Sequence, residues 1–169
     1  MSEFETFCEI VIREEGGYSD HPADDGGATK YGISIGFLRL IDPGVSKADI
    51  QDLTIDGARA IYREHFWRPV RGDDLPPALA LLVFDMAVNS GVSDAAKALQ
   101  ASVGALEDGI IGSQTVAASN GTMLHPALIH MTTARILHFA KLDDFPVFGR
   151  GWVARALRLN NLAQEINRG

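Results

Sequence analysis

Residues 13–34 read REEGGYSDHPADDGGATKYGIS, and the fold is decided by how this stretch is parsed. Upstream of it, Phe4, Phe7, Cys8 and Val11 recur at i, i+3, i+4 and i+7, which puts them on one face of a helix. Ser2 with Glu5 three residues later is a capping-box start, and Gly16-Gly17 is a stop signal. The spacing therefore predicts a first helix that closes on Glu15. A carboxylate there faces the negative end of the helix dipole, disfavoured by roughly 0.3–1 kcal/mol. Any burial adds to that cost and favours a retained proton, which is what a general acid needs. Position alone fits a solvated helix-end residue better than an acid catalyst; Glu14, facing another way, reads as solvated.

Downstream, Asp24 lies nine residues after Glu15, and Thr29 a further five. Gly26-Gly27 suits a tight turn, and Thr29-Lys30-Tyr31-Gly32-Ile33-Ser34 has the β-branched and aromatic character of a short strand. The stretch is thus a helix-end glutamate followed by a small β-turn region bearing Asp and Thr.

Three runs in it, Glu15-Gly16-Gly17-Tyr18, His21-Pro22-Ala23-Asp24 and Gly26-Gly27-Ala28-Thr29-Lys30-Tyr31-Gly32-Ile33-Ser34, resemble the signature of the glycoside hydrolase family 108 muramidases. The order Glu, Asp, Thr is more distantly similar to phage-type lysozymes. The resemblance implies a mainly α, α+β lysozyme-like fold: a helical bundle around a central buried helix, with a small β-hairpin after the first helix. It implies Glu15 as catalytic acid, Asp24 and Thr29 as water-positioning groups, and peptidoglycan glycan strands as substrate. Asp20 and Asp25 remain open as alternatives for the second carboxylate.

Composition narrows the classes. At 169 residues the chain can bury a full core. Its single cysteine, Cys8, lies on the apolar face of the first helix, so no intramolecular disulfide forms and a buried thiol is expected. The net charge of −7 is uneven: residues 1–120 carry 9 Lys and Arg against 19 Asp and Glu, and residues 121–169 carry 6 against 3. An acidic N-terminal part argues against nucleic acid, and the basic tail is expected to complement it within the fold. No basic leader with an apolar run opens the chain, and no stretch reaches the length of a membrane span. Synthesis in the cytoplasm without membrane insertion is expected, with a holin or another export route bringing a monomer to the cell wall. That setting fits a phage endolysin, a prophage product or a bacterial lysozyme-like secretion factor.

Along the rest of the chain, Ser34, Ser46 with Asp49, and Thr54 each read as helix N-caps. The Thr54 helix carries Ala58, Ile61, Tyr62 and His65 and ends before Arg68-Pro69. Phe66 and Tyr62 read as core, and Trp67 as a candidate sugar-cleft residue. Residues 75–89, LPPALALLVFDMAVN, start at a Pro pair and are apolar around most of the circumference, the pattern of a buried central helix. Asp85 and Asn89 share one face of it, and Asn89, in Asn89-Ser90-Gly91, is taken as substrate-side.

Ser93 is read as the cap of the next helix, and Asp108-Gly109-Ile110-Ile111-Gly112-Ser113-Gln114-Thr115 as a structural turn in which Ser113 caps its successor. That string resembles one in small peptidoglycan-binding modules. Two long helices, about 126–141 and 148–167, complete the chain, and Phe148-Gly149-Arg150-Gly151-Trp152 with Arg155 resembles the family's C-terminal region. The expected organisation is a catalytic region over 1–91 and a helical region over 92–169, packed together. Candidate sugar contacts are Tyr18, Tyr31, Trp67, Asn89 and Trp152. His125, His130 and His138 lack metal-ligand spacing, and no cofactor fingerprint is present, so neither a metal nor a cofactor is expected.

Overall fold

The computed structural model describes residues 2–15, 18, 19 and 27–169, with the backbone alone at Glu15. The chain divides into two compact units, residues 1–63 and 64–169.

The first unit opens with α1 (Glu3–Glu15). The capping box forms: the Ser2 amide donates to Glu5 Oε2 at 2.8 Å, and the Glu5 amide donates to Ser2 Oγ at 3.3 Å. Its apolar stripe, Phe4, Phe7, Cys8, Val11 and Ile12, is buried. Burial also holds the Cys8 thiol up at about 11, an inert structural side chain.

Strands β1 (Thr29–Lys30) and β2 (Ile33–Ser34) pair antiparallel, Thr29 with Ser34 and Lys30 with Ile33. The two-residue loop Tyr31-Gly32 has positive φ at both positions, +54° and +78°, the pattern of a type I′ hairpin turn. Glycine takes that conformation freely, whereas tyrosine does so at a cost of roughly 1–2 kcal/mol.

Helices α2 (Ile35–Ile41), α3 (Lys47–Asp52) and α4 (Ile55–Tyr62) follow, each starting where the sequence predicts. Ser34, Ser46 and Thr54 accept from the amides of Phe37, Asp49 and Gly57. The hairpin packs on α2 and α3 through Ala28, Ile35 and Ile50, with Leu38 and Val45 against them. Helix α4 packs on α1, where Arg59 bridges Glu9 at 3.2 Å and Asp56 at 3.0 Å. This arginine is half-buried and joins α4 to α1.

A π-helical turn, Arg63–Trp67, continues α4, and a 3-10 turn, Gly72–Asp74, precedes α5 (Pro77–Ser90). Every α5 residue from Ala78 to Ala87 is buried, as its all-round apolarity predicts. Helices α6 (Val92–Val103), α8 (Leu124–Phe139) and α9 (Phe145–Arg168) pack around it, α8 pairs with α9, and α7 (Ser113–Gly121) packs on α6. Because α5 is enclosed by helices that follow it, the compact units part at 63/64, whereas the sequence suggests 91/92.

Two cap expectations are corrected. Gly91, at φ +91°, is the N-cap of α6, so Ser93 already lies within the helix; glycine's freedom at positive φ lets α5 turn into α6 in one residue. Extended Gly112, and not Ser113, caps α7.

Candidate active site

Glu15 is the last residue of α1, the position that the helix pattern predicts. Its side chain lies outside the described residues, as do Asp20, Asp24 and Asp25. The next described residues are Tyr18 and Ser19. Ser19 forms an isolated antiparallel bridge with Thr29: the Thr29 amide donates to Ser19 O at 2.8 Å, and the Ser19 amide donates to Thr29 O at 2.9 Å. This brings Tyr18, Thr29 and Tyr31 onto one small β element in the first unit.

The Thr29 hydroxyl is half-buried, and its 3.5 Å contact with Ser19 O is too long to fix it. It can therefore exchange that contact for a water molecule. Tyr18 is 41% exposed, and its phenol oxygen accepts from Gln51 Nε2 at 3.1 Å. The Lys30 ammonium lies 5.5 Å from the centroid of the Tyr31 ring, a half-buried cation–π pair. Lys30 Nζ also donates to the carbonyl of Gln51, in the last turn of α3, where a cation complements the helix dipole. On the other side, the Tyr62 hydroxyl donates to the Tyr31 carbonyl at 2.7 Å.

The β element is thus tied to α3 and to α4 by Gln51 and Tyr62, neither of which the sequence reading placed at the site. Gln51 and Tyr62 lie 33 and 31 residues from their partners. Their local context reads as an ordinary helix end and an ordinary core aromatic.

The other sequence candidates lie in the second unit. Trp67 is fully buried, edge-on to Phe84 with centroids 5.4 Å apart, and its indole N–H donates to Asp73 at 2.9 Å. The space left by Gly72 receives its ring, since a Cβ there would come within 2.4 Å of it. A side chain with no exposed surface and its only polar atom engaged cannot line a sugar cleft, so Trp67 is a core residue. Asn89, near the end of α5, is exposed. Trp152 is half-buried between Phe139 and Phe148, at centroid distances of 5.4 and 6.0 Å.

Asp85, on the same face of α5 as Asn89, points into the core. Its carboxylate meets Arg155 at 2.6 and 3.2 Å and Arg135 at 2.5 Å, with all three residues buried. Two basic residues of the C-terminal part therefore turn inward to neutralise this acid. The Asp108 turn is held from within by buried Gln100, whose amide group donates to Asp108, Ile110 O and Thr115 and accepts from the Gly109 amide. The bond from Gln100, and then the one from the Ile110 amide, hold the Asp108 carboxyl below its ordinary value. An open groove of about 510 Å³ lies beside this turn, and none of the sequence-predicted site residues lines it.

Comparison with solved structures aligns the chain with SagA of Brucella abortus at 38% identity and a TM-score of 0.91, covering 98% of this chain and 96% of that one. The family model described as Glycosyl hydrolase 108 matches residues 8–91. The chain belongs to the glycosyl hydrolase 108 family. No curated protein sequence matches it. The match to SagA spans both compact units, so the mainly α, lysozyme-like architecture belongs to the whole chain. The family model takes in Glu15, Asp24, Thr29 and the hairpin, and ends after α5. As a family 108 member the protein is a glycoside hydrolase. Among the described residues no helix is long and apolar enough to cross a membrane.

Proposed function

We propose that this glycoside hydrolase is an N-acetylmuramidase, which cleaves the β-1,4 bond between N-acetylmuramic acid and N-acetylglucosamine in peptidoglycan and acts on the cell wall. The observation that carries the reading is the placement of Glu15 as the last residue of α1, with the chain returning through the Ser19–Thr29 bridge into the hairpin, inside the family-matched region. In this reading Glu15 is the general acid and gives its proton to the glycosidic oxygen as oxocarbenium character develops.

Water then attacks the anomeric carbon, positioned by Asp24 or Thr29. If that water arrives from the face opposite the acid, the product is inverted, which requires carboxyl groups about 6.5–9.5 Å apart; retention would need about 5–5.5 Å. Tyr18 and Tyr31 are the proposed sugar contacts of the first unit, and Asn89 and Trp152 those of the second.

Mass spectrometry of fragments released from purified peptidoglycan tests the reaction. Reducing muramic ends that carry one ¹⁸O from labelled water are expected. Anhydro ends would overturn the reading in favour of a lytic transglycosylase, and no fragments at all would leave only a wall-binding protein.

A further inference from the structure

We propose that Tyr62 is a positioning residue for the hydrolytic centre. Its buried hydroxyl holds the hairpin turn in the conformation that places Thr29, an inference that rests on the water-positioning role proposed for Thr29. Three observations lead to it.

First, the turn is built against its own sequence. A type I′ hairpin needs positive φ at both loop positions, which Asn-Gly supplies readily, but here the first position is Tyr31 at φ +54°. A side chain with a Cβ in that region persists where its surroundings over-determine it. Second, the surroundings include one short directional bond from outside the hairpin to this peptide: Tyr62, 1% exposed, donates to the Tyr31 carbonyl at 2.7 Å from the end of α4. Third, the turn closes a ladder of two residue pairs, Lys30 with Ile33 and Thr29 with Ser34. A change of turn type at Tyr31-Gly32 therefore reaches Thr29 directly. Among the described residues, the Thr29 hydroxyl makes a long 3.5 Å contact to Ser19 O.

Tyr62→Phe keeps the ring that fills the core and deletes the hydroxyl. The deciding experiment is a cycle of four full-length proteins: wild type, Tyr62→Phe, Tyr31→Asn and the double variant, with kcat and KM measured on solubilised peptidoglycan strands. Tyr62→Phe is expected to lower kcat about tenfold with KM within twofold of wild type. In the Tyr31→Asn background, where asparagine takes the left-handed region readily, the same deletion is expected to change kcat less than twofold. A general packing role for Tyr62 would lower kcat equally in both backgrounds, and that result overturns the proposal, as does an unchanged kcat in Tyr62→Phe.

Thr29→Ala, run alongside, separates the two ideas. A loss there with none at Tyr62→Phe defeats the Tyr62 proposal alone, and no loss at either defeats the Thr29 reading with it. A Tyr62 effect beside an unaffected Thr29→Ala overturns the link between them. Hydrogen exchange gives a readout independent of turnover: amides of residues 29–35 should exchange at least tenfold faster in Tyr62→Phe, with those of residues 7–12 unchanged. Equal exchange in both segments contradicts the lock.

Discussion

The two compact units solve stability in different ways. In residues 64–169 the central helix α5 is buried along ten consecutive residues, and its single acid, Asp85, is neutralised by Arg135 and Arg155. Burial of apolar area at about 25 cal/mol per Å² dominates such a unit, and it is insensitive to small shifts of any one side chain. In residues 1–63 the β element rests on the small cluster of Ala28, Ile35 and Ile50, and among the described residues directional bonds add to it: the Ser19–Thr29 bridge, Lys30 to Gln51, Tyr18 with Gln51, and Tyr62 to Tyr31. A hydrogen bond is modest in net energy, about 0.5–1.5 kcal/mol, but it specifies position. The difference teaches that the β element, the proposed catalytic region, is held for geometry, and the helical unit for stability.

The sharpest break of that comparison comes from Glu15→Gln. We expect kcat to fall about 10³-fold, within the usual range for removing a general acid, with an unchanged melting temperature. Near-wild-type lysis of purified peptidoglycan by this variant would remove Glu15 from the mechanism.

Asp85→Asn should do the reverse. It leaves two buried guanidinium groups facing a neutral amide, and breaking a buried ion pair costs about 3–5 kcal/mol. Urea unfolding should show that loss. A loss below about 1 kcal/mol would mean that the arginines find other partners, and that apolar packing alone holds the second unit.

Lys30→Met sharpens the contrast inside the first unit. It deletes the cation at the end of α3 and its bond to the Gln51 carbonyl while keeping an apolar stem. We expect about 1 kcal/mol or less in stability, but a several-fold loss of kcat/KM because the hairpin is freed on one side. Equal proportional losses in both would contradict the division between geometry and stability.

The smallest effect is expected from Asp108→Asn. The Asp108 carboxyl is held below its ordinary value of 3.8, first by Gln100 and then by the Ile110 amide. A carboxylate with a lowered folded-state value contributes stability that is complete above the unfolded value and is lost as pH falls through the folded one. Wild type should therefore lose slightly more melting temperature than Asp108→Asn between pH 5 and pH 3. Parallel acid limbs would show that this exposed carboxylate adds nothing measurable.

Much of this arrangement can be read in the sequence, and the parts that can share a physical cause. Ser2, Ser34, Ser46 and Thr54 cap helices through bonds to amides three residues ahead, so the information is local. The all-round apolarity of residues 78–87 requires enclosure whatever encloses it. The signature from Glu15 to Ser34 places the helix end and hairpin because both are formed within that stretch. The misreadings at Ser93 and Ser113 are of another kind. In each case a glycine just upstream takes the cap conformation, and a capping side chain further on finds the helix already begun.

The chain by itself determines where the first four helices start, which helix must be central, and that Glu15 closes the first. Tertiary structure alone decides that Trp67 fills the core over Gly72, that Asp85 faces an arginine 70 residues away, and that the strained turn at Tyr31 is grasped by Tyr62 from the end of α4. Helical periodicity reports which face of an element is apolar. A partner that arrives from a distant element leaves no trace in local spacing, because its distance is set by how whole helices pack.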